Sequence, residues 1–234
     1  VSITCRLCGN SSLVSVLDLG ASPPCESFLS EEQLDLPEAT YPLHLRLCPD
    51  CLLLQIPALI TPEDTFGGDY AYYSSYSTSW VEHARKFVDQ AVDALGLDPD
   101  GFVVEVAAND GYLLQHVVNR GIRCLGIEPS LNCSEAARDK GIPMLRAFLD
   151  EALAARVRDE HGPADLVVAN NVFAHIPDIT GFASGLRGLV AATGRISIEV
   201  HHALSLITAA QFDTIYHEHF QYWTVLAARH GLAA

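Results

Sequence analysis

From Phe102 onward, the hydrophobic and polar positions predict an alternation of strands and helices. Short apolar runs of strand length are separated by stretches in which apolar residues return every three or four positions. The predicted strands are Phe102–Val106, Arg123–Glu128, Met144–Arg146, Ala164–Ala169 and Arg195–Val200. The predicted helices are Tyr112–Arg120, Asn132–Lys140, Asp150–Asp159 and Ile179–Ala191. This order, with mostly apolar strands, predicts an α/β fold with a parallel, doubly wound sheet.

The first part of the chain, residues 1–60, has only short apolar runs and is too small to bury much surface. It contains two cysteine pairs, Cys5-x-x-Cys8 and Cys48-x-x-Cys51. Pairs with this spacing, in a chain that shows no secretion signal, are typical of a zinc site rather than of disulfides. Four thiolates fill a tetrahedral shell, so we expect one structural Zn²⁺ here. Redox-active or unliganded thiols are the alternative.

Residues 61–98 combine a tyrosine-rich loop with a linking helix. The loop GGDYAYYSSYSTSW has tyrosines at positions 70, 72, 73 and 76. Its rings either pack on the domain below or form a lid that places phenols over a polar ligand. From Trp80 to Leu95 the apolar residues have helical spacing, and Gly96 ends the predicted helix. The remaining residues, 99–234, form the predicted α/β domain.

The first predicted strand of this domain runs into a tight turn of small and polar residues, VVEVAANDGYLL. Ala107, Asn109, Asp110 and Gly111 lie in the turn, where small side chains allow a cofactor to approach the backbone. The second predicted strand ends at Glu128, where an acid can accept hydrogen bonds from ribose hydroxyls. This combination is typical of a nucleotide-type cofactor site.

The residues of the turn favour S-adenosylmethionine over a dinucleotide. A dinucleotide fold needs G-x-G-x-x-G, and the AANDG found here is a poor cradle for a pyrophosphate. S-adenosylmethionine has no phosphate, and Asn109 and Asp110 can meet its amino-acid end. Glu105 directly precedes the turn and is expected to help hold the ammonium group, while Glu128 binds the ribose.

Polar residues also follow the fourth predicted strand. Asn170 and Asn171 come directly after it, and His175 follows four residues later. The carboxyl ends of parallel strands face the ligand crevice of an open sheet. We therefore expect Asn170 and Asn171 at the cofactor and His175 near the chemistry.

The segment Gln211–Trp223, QFDTIYHEHFQYW, concentrates ionisable and hydroxyl groups. As a strand it would place His217 and His219 on one face, like a metal-binding pair. As a helical turn it would place Tyr216 and His219 together, and the surrounding residues favour the turn. A histidine that titrates near physiological pH suits a general base.

Composition narrows the possible partners. Of 234 residues, 49% are hydrophobic, which suffices for an α/β domain and a small accessory module. The net charge of −15 leaves no basic face of the kind that nucleic-acid binders present. No apolar run approaches the ~18 residues of a membrane span. We expect a monomeric cytoplasmic protein without nucleic-acid or membrane partners.

Stretches along nearly the whole chain resemble the sugar C-methyltransferases of deoxysugar and antibiotic biosynthesis, which act on nucleotide-linked 4-keto sugars. The matching stretches are CRLCG, LDLGASPPCESFL, YPLHLRLCPDCLLLQ, DYAYYSS, VVEVAANDGYLLQ, GIEPS, ANNVFAHIPD and QFDTIYHEHF. The resemblance implies a zinc-binding domain, a class I methyltransferase domain and a further C-terminal domain. The family pattern continues past residue 234, so the last part of the methyltransferase sheet and that domain are expected to lie outside this chain.

The resemblance also implies roles for individual residues. Cys5, Cys8, Cys48 and Cys51 would bind the zinc ion. His219 would be the base that removes the proton from C-3 of the sugar. The residues expected near the reacting sugar are Tyr216, Glu218, His175 and Tyr70.

Two other functions stay open at the level of sequence. One is a dinucleotide-dependent, sugar-modifying oxidoreductase, which the AANDG turn disfavours. The other is a zinc-bearing module that binds a nucleotide sugar without turning it over.

Overall fold

The computed structural model describes residues 3–25 and 27–232. The strands are β1 Val14–Ser22, β2 Tyr41–Leu47, β3 Leu54–Gln55, β4 Phe102–Val106, β5 Arg123–Ile127, β6 Met144–Leu145, β7 Ala164–Asn170, β8 Val190–Glu199 and β9 Gln221–Tyr222. The helices are α1 Pro62–Phe66, α2 Thr78–Leu95, α3 Leu114–Val118, α4 Leu131–Asp139, α5 Glu151–His161, α6 Ile179–Leu189, α7 Ala203–Thr208 and α8 Val225–Leu232. Short 3₁₀ turns lie at Glu31–Gln33, Ser74–Tyr76 and Phe212–Thr214.

Two compact units share the chain. The cysteine unit comprises Val1–Pro62, Phe173–Thr180 and Val200–Ala234. The α/β unit comprises Glu63–Val172 and Gly181–Glu199. These segments alternate along the chain, whereas the sequence predicts three consecutive parts with boundaries near residues 60 and 98.

The α/β unit contains a five-stranded parallel sheet in the order β6-β5-β4-β7-β8. From β4 the chain first moves outward to β5 and β6, and then crosses back to β7 and β8. All five residues of β4 are buried, as its continuous apolar run predicts for the centre of a parallel sheet. The α/β fold with a doubly wound sheet is therefore confirmed, and the strand order reverses beside β4, where such sheets bind ligands.

Helix α2 packs on this core in the way its periodicity predicts. The Ser77 hydroxyl accepts a hydrogen bond from the Trp80 N–H and caps the first turn. Ala84, Val88 and Val92 are buried on one face and belong to the same apolar cluster as β4. Gly96 ends the helix in the left-handed conformation, with φ of 63°.

One predicted boundary in the α/β unit differs clearly from the structure. Strand β8 begins at Val190, directly after α6, whereas the sequence predicts helix to Ala191 and strand only from Arg195. Val190 pairs with Ala164, and the register of the two strands then shifts before Leu166 pairs with Arg195. This tertiary pairing with β7 overrides the local helical pattern.

The cysteine unit contains a four-stranded antiparallel sheet in the order β1-β2-β3-β9. Strand β9 comes from the far end of the chain and pairs with β3, with Gln221 opposite Gln55. The small core under this sheet includes Leu43, Leu45 and Ile56. Because of the pairing between β3 and β9, the C-terminal segment folds with the N-terminal cysteines.

In the part of the chain that the structure describes, no helix is both long and apolar enough to cross a membrane.

Candidate active site and metal site

The turn after β4 is tight and has an unusual backbone. Ala107 and Asn109 have positive φ angles of 57° and 48°, which are rare for residues other than glycine. Gly111 has φ of 76°, and a Cβ there would lie 2.3 Å from Cδ1 of Ile142. Such strained positions are often found at functional sites. Of the residues that the sequence singled out, Gly111 is thus required by both its backbone conformation and its close neighbours.

Glu128 lies directly after β5 and faces this turn. Its Oε2 accepts a hydrogen bond from the Asn109 N–H at 2.9 Å, and its Oε1 accepts one from the Ser130 N–H at 2.9 Å. Burial raises the pKa of Glu128, and the hydrogen bonds from Ser130 and Asn109 act in the opposite direction. Each oxygen has a further lone pair, so Glu128 can also accept hydrogen bonds from ribose hydroxyls.

Two buried acceptors occupy the ends of the adjacent strands β4 and β7. Within the described residues, neither carboxylate oxygen of Glu105 nor Oδ1 of Asn170 has a hydrogen-bond partner. Burial, assisted by the nearby charge of Glu128, raises the pKa of Glu105 well above its usual range. Buried acceptors are normally satisfied. The ammonium group of S-adenosylmethionine has the hydrogen-bond donors that these acceptors need, so the residues present fit this cofactor.

The side chains of Asn109 and Asp110 contact the tyrosine-rich loop. Oδ1 of Asn109 accepts a hydrogen bond from the Ser74 N–H at 2.8 Å. The carboxylate of Asp110 accepts hydrogen bonds from the N–H and the hydroxyl of Ser75, and it forms an ion pair with Lys140 at 3.0 Å. The contact of these two side chains with the cofactor stays a prediction. In the structure, both side chains hold the tyrosine-rich loop.

Asn132, at the start of α4, also holds the tyrosine-rich loop. Its side-chain amide exchanges two hydrogen bonds with the backbone of Tyr70, at 2.9 and 2.8 Å, and its Nδ2 donates to the Tyr73 hydroxyl at 2.8 Å. Asn132 was not among the residues predicted for the site, although it follows Glu128 closely in the sequence. Asn171, another predicted cofactor residue, has φ of 54°, and its N–H donates to the Glu199 carbonyl at 2.7 Å.

In the cysteine unit, Tyr216 and His219 form the close pair that the turn interpretation predicted. The His219 N–H donates to the Tyr216 carbonyl at 3.0 Å, which closes the turn. The two rings are 3.9 Å apart between centroids. Nδ1 of His219 lies 3.1 Å from the Thr214 carbonyl, which can only accept, so Nδ1 carries the proton. Nε2 therefore accepts the hydrogen bond from the Tyr216 hydroxyl at 2.8 Å.

Two further imidazole rings pack around His219. The ring centroids of His175 and His201 lie 4.7 and 5.2 Å from that of His219. Burial and the neighbouring His175 lower the pKa of His219 to about 2. Burial also lowers the pKa of His175 to about 4. Both rings are consequently neutral at physiological pH, and the unprotonated nitrogen of His219 is Nε2, whose lone pair accepts from the Tyr216 hydroxyl.

Glu218, directly before His219, is buried and has an unexpected neighbour. Its Oε1 accepts a hydrogen bond from the Cys25 thiol at 3.2 Å. Sequence reasoning found no pattern around Cys25, because the two residues are 193 positions apart. Four of the predicted catalytic residues, His219, Tyr216, Glu218 and His175, thus lie in the cysteine unit. The fifth, Tyr70, lies in the α/β unit.

The four paired cysteines form the predicted metal site. Their sulfur atoms all lie within 4.8 Å of one another, with Cys5 and Cys51 at 3.4 Å and Cys8 and Cys48 at 3.5 Å. Four sulfur ligands at such separations suit tetrahedral Zn²⁺. Burial acts to raise the pKa of Cys5, but hydrogen bonds from the N–H groups of Cys8 and Leu7 lower it to about 7.

Both cysteine pairs share one turn geometry. The Gly9 N–H donates to the Cys5 carbonyl at 2.8 Å, and the Leu52 N–H donates to the Cys48 carbonyl at 3.0 Å. Gly9 and Leu52 have left-handed φ angles of 77° and 62°. Leu52 thus adopts the conformation that glycine adopts after the first pair, and its presence does not disrupt the second turn.

Two family models match the chain. One, described as "Putative zinc binding domain", matches residues 5–66, and the other, described as "Methyltransferase domain", matches residues 80–233. The chain belongs to the methyltransferase-domain family. A curated relative, the C-methyltransferase NovU of Streptomyces niveus, is 34% identical over 233 residues, which cover 97% of this chain and 55% of the relative. The chain therefore spans about half the length of that relative.

A solved structure supports the same fold. Magnesium protoporphyrin IX methyltransferase (ChlM) of Synechocystis PCC 6803 with bound SAH has a TM-score of 0.50 and 17% sequence identity, and the match covers 64% of this chain and 71% of that one. The fold is therefore that of a class I methyltransferase. Family membership favours S-adenosylmethionine over a dinucleotide, as the AANDG turn predicted, and the matched N-terminal domain agrees with a structural zinc ion at the four cysteines.

Proposed function

We propose that this methyltransferase-family chain transfers a methyl group from S-adenosylmethionine to C-3 of a nucleotide-linked 4-keto deoxysugar, with His219 as the base. The observation that carries the proposal is the Tyr216–His219 pair, a buried neutral imidazole whose unprotonated Nε2 faces the Tyr216 hydroxyl. Transfer to carbon requires removal of a C–H proton. The relative's name, C-methyltransferase, supports carbon as the acceptor.

The α/β unit provides groups that suit each end of the cofactor. Glu105 and Asn170 have the unpartnered acceptors for its ammonium group, and Glu128 can accept from its ribose. The small residues Ala107 and Gly111 allow close approach to the turn. When bound, S-adenosylmethionine supplies an electrophilic methyl group on a positively charged sulfur atom.

The cysteine unit provides the acid–base groups. A C–H bond next to a ketone is weakly acidic, because the charge of the resulting enolate moves to the carbonyl oxygen. Nε2 of His219 would take this proton once the Tyr216 hydroxyl turns from Nε2 to the substrate, while the Thr214 carbonyl continues to accept from Nδ1 and stabilises the imidazolium. The Tyr216 hydroxyl or His175 would donate to the enolate oxygen, and a well-placed donor of this kind contributes about 3–4 kcal/mol.

The low pKa of His219 fits this chemistry when the substrate is considered. Burial and the neighbouring imidazole lower the pKa to about 2, so the ring is neutral but a weak base in the absence of substrate. A negatively charged enolate oxygen nearby would favour the imidazolium and raise the pKa during the reaction. The proposal also includes a nucleotide-linked keto sugar as substrate and a monomeric cytoplasmic protein.

Replacement of His219 by asparagine tests the base. We expect His219→Asn to slow exchange of the C-3 proton with deuterated buffer by about 100-fold or more. The affinity for S-adenosylmethionine, measured by isothermal titration, should not change.

His230→Asn, at an exposed histidine of α8, is the matched control and should exchange at the normal rate. Normal exchange in His219→Asn would contradict the proposal. Binding of the nucleotide sugar by the unaltered chain without any exchange would favour the binding-module alternative.

A further inference from the structure

Arg6 lies between the first two cysteines, in the turn Cys5–Cys8, and its side chain reaches the segment that carries His219. Its guanidinium NH1 donates to the Phe220 carbonyl at 2.5 Å, directly after His219. NH2 donates to the Ile56 carbonyl at 2.8 Å. The guanidinium carbon also lies 5.8 Å from the centre of the Phe220 ring.

Gln221 continues this set of contacts toward His175. Its side chain is fully buried, and its Oε1 accepts from Arg6 at 3.3 Å. Its Nε2 donates to the carbonyls of Phe173 at 2.6 Å and Ile176 at 2.8 Å, on either side of His175. One amide side chain thus joins the segments of both histidines.

A backbone hydrogen bond reinforces the same connection. The N–H of Phe220, which follows His219, donates to the carbonyl of Ala174, which precedes His175, at 2.8 Å. The Phe220 carbonyl accepts from the Ile56 N–H at 3.0 Å as well as from Arg6. The relative position of His175 and His219 therefore depends on a short strip of backbone that Arg6 and Gln221 hold.

The chemistry of Arg6 suits this task. A guanidinium stays charged at physiological pH. A guanidinium presents several N–H donors in a fixed plane, whereas a lysine ammonium cannot reach two carbonyls and an amide with the same geometry. Four thiolates around Zn²⁺ would carry a net negative charge, which favours a buried cation in the same turn.

We propose that Arg6 and Gln221 are positioning residues, through which the zinc-bound turn Cys5–Cys8 holds His219 and His175 in their reactive arrangement. This inference rests on the proposed function for the roles of the two histidines. The metal site would then position the two histidines as well as stabilise the fold, because movement of Cys5–Cys8 would shift the backbone at Phe220 and Gln221. Neither Arg6 nor Gln221 has to touch the substrate.

Two conservative variants of the zinc-loaded full chain test the proposal. Arg6→Lys keeps the charge but loses the planar set of donors, and Gln221→Glu keeps the acceptor for Arg6 but loses both donations beside His175. The exposed Arg229→Lys in α8 is the matched control. Nitrogen-15 spectra of the imidazoles report the tautomer and pKa of His219, and C-3 proton exchange reports kcat and KM. Metal analysis and circular dichroism report zinc content and folding.

We expect both variants to fold, to retain one zinc per chain and to bind S-adenosylmethionine normally. The pKa of His219 should rise toward its ordinary value, and its Nδ1-protonated tautomer should lose its dominance. The kcat for exchange should fall about 10- to 100-fold, with KM changed much less, because misplacement of a reactive group affects mainly the chemical step. Zinc removal from the unaltered chain should change the His219 spectrum in the same direction.

Unchanged His219 spectra and unchanged kcat in both folded variants would overturn the proposal. An unaltered spectrum after zinc removal would overturn the role of the metal-bound turn. Loss of folding in both variants would also overturn the proposal, because a positioning role requires a folded protein. If only one variant fails to fold, the spectra and kcat of the other variant decide. Persistent exchange in His219→Asn would contradict the proposed function, while the spectra would still show whether Arg6 and Gln221 hold His219.

Discussion

Glu105 is a carboxyl group near the C-terminal end of the buried strand β4, between Val104 and Val106. All three side chains are almost fully buried, and both Glu105 oxygens lack a partner among the described residues. A buried, unpaired carboxylate destabilises a fold, so an apolar or neutral residue would be more favourable there. Residues that cost stability in this way are typical of binding sites.

Replacement of Glu105 by glutamine separates stability from cofactor binding. We expect Glu105→Gln to raise the free energy of unfolding of the unliganded protein by about 1–3 kcal/mol, because the side chain can no longer ionise. The same change should weaken S-adenosylmethionine binding about 10-fold or more, because a charged partner for the ammonium is lost. Chemical denaturation and isothermal titration measure the two effects.

Glu135→Gln, at an exposed position in α4, is the matched control and should change neither quantity. A less stable Glu105→Gln protein with unaffected cofactor binding would contradict the role given to Glu105.

At the residue scale, local spacing predicted part of the candidate site. Tyr216 and His219 are three positions apart, so a turn places them together whatever the rest of the chain does. The contact between Arg6 and Gln221 could not be predicted in this way, because the two residues are 215 positions apart. The same reason applies to Cys25 and Glu218.

At the scale of elements, the tyrosine-rich loop is attached to the turn after β4. Ser74 and Ser75 donate backbone and side-chain hydrogen bonds to Asn109 and Asp110, and Asn132 holds Tyr70 in the same loop. These contacts couple the order of the loop to the conformation of the cofactor turn. Of the two tasks considered for the loop, the contacts agree with packing on the domain below, and the lid stays a prediction.

Removal of one hydroxyl group tests this attachment. We expect Ser75→Ala to increase amide hydrogen exchange at Ser74 and Ser75 about 10-fold, because a hydrogen bond to the Asp110 carboxylate contributes about 1–2 kcal/mol. Exchange in β4 and β5 should stay the same. Ser79→Ala, at an exposed position of α2, is the matched control. Equal protection of the loop in Ser75→Ala and in the unaltered protein would show that Asp110 does not hold it.

Elements with a strong periodic pattern were predicted well, and those formed by long-range pairing were not. Strand β4 agrees with its predicted bounds, because four apolar residues among its five positions and the tight turn that follows define it locally. Strand β9 has two residues and hence no periodicity, and it forms only by pairing with β3. The division of the chain into alternating segments follows from this pairing, which no local pattern reveals.

At the scale of the whole molecule, the two units depend on different sources of stability. The α/β unit has a continuous apolar core that includes Val103, Leu114 and Val168. The cysteine unit has a smaller core, and the four cysteines of its metal site all belong to the segment before Pro62. A structural metal commonly stabilises so small a core. The zinc ion should therefore matter much more to the cysteine unit than to the α/β unit.

Loss of a zinc ligand tests this difference. We expect Cys48→Ser to lower zinc content and to destabilise the cysteine unit by several kcal/mol, on the order of the binding free energy of structural zinc sites. Hydrogen exchange measured by mass spectrometry should show lost protection in β1, β2, β3 and β9, including the segment that follows His219. Protection in the buried strands of the α/β unit should persist, because its core contains no zinc ligand.

Cys124→Ser, a buried cysteine of β5, is the matched control and should retain zinc while weakening the α/β unit instead. Equal loss of protection in both units after Cys48→Ser would show that the zinc ion stabilises the chain as one cooperative structure.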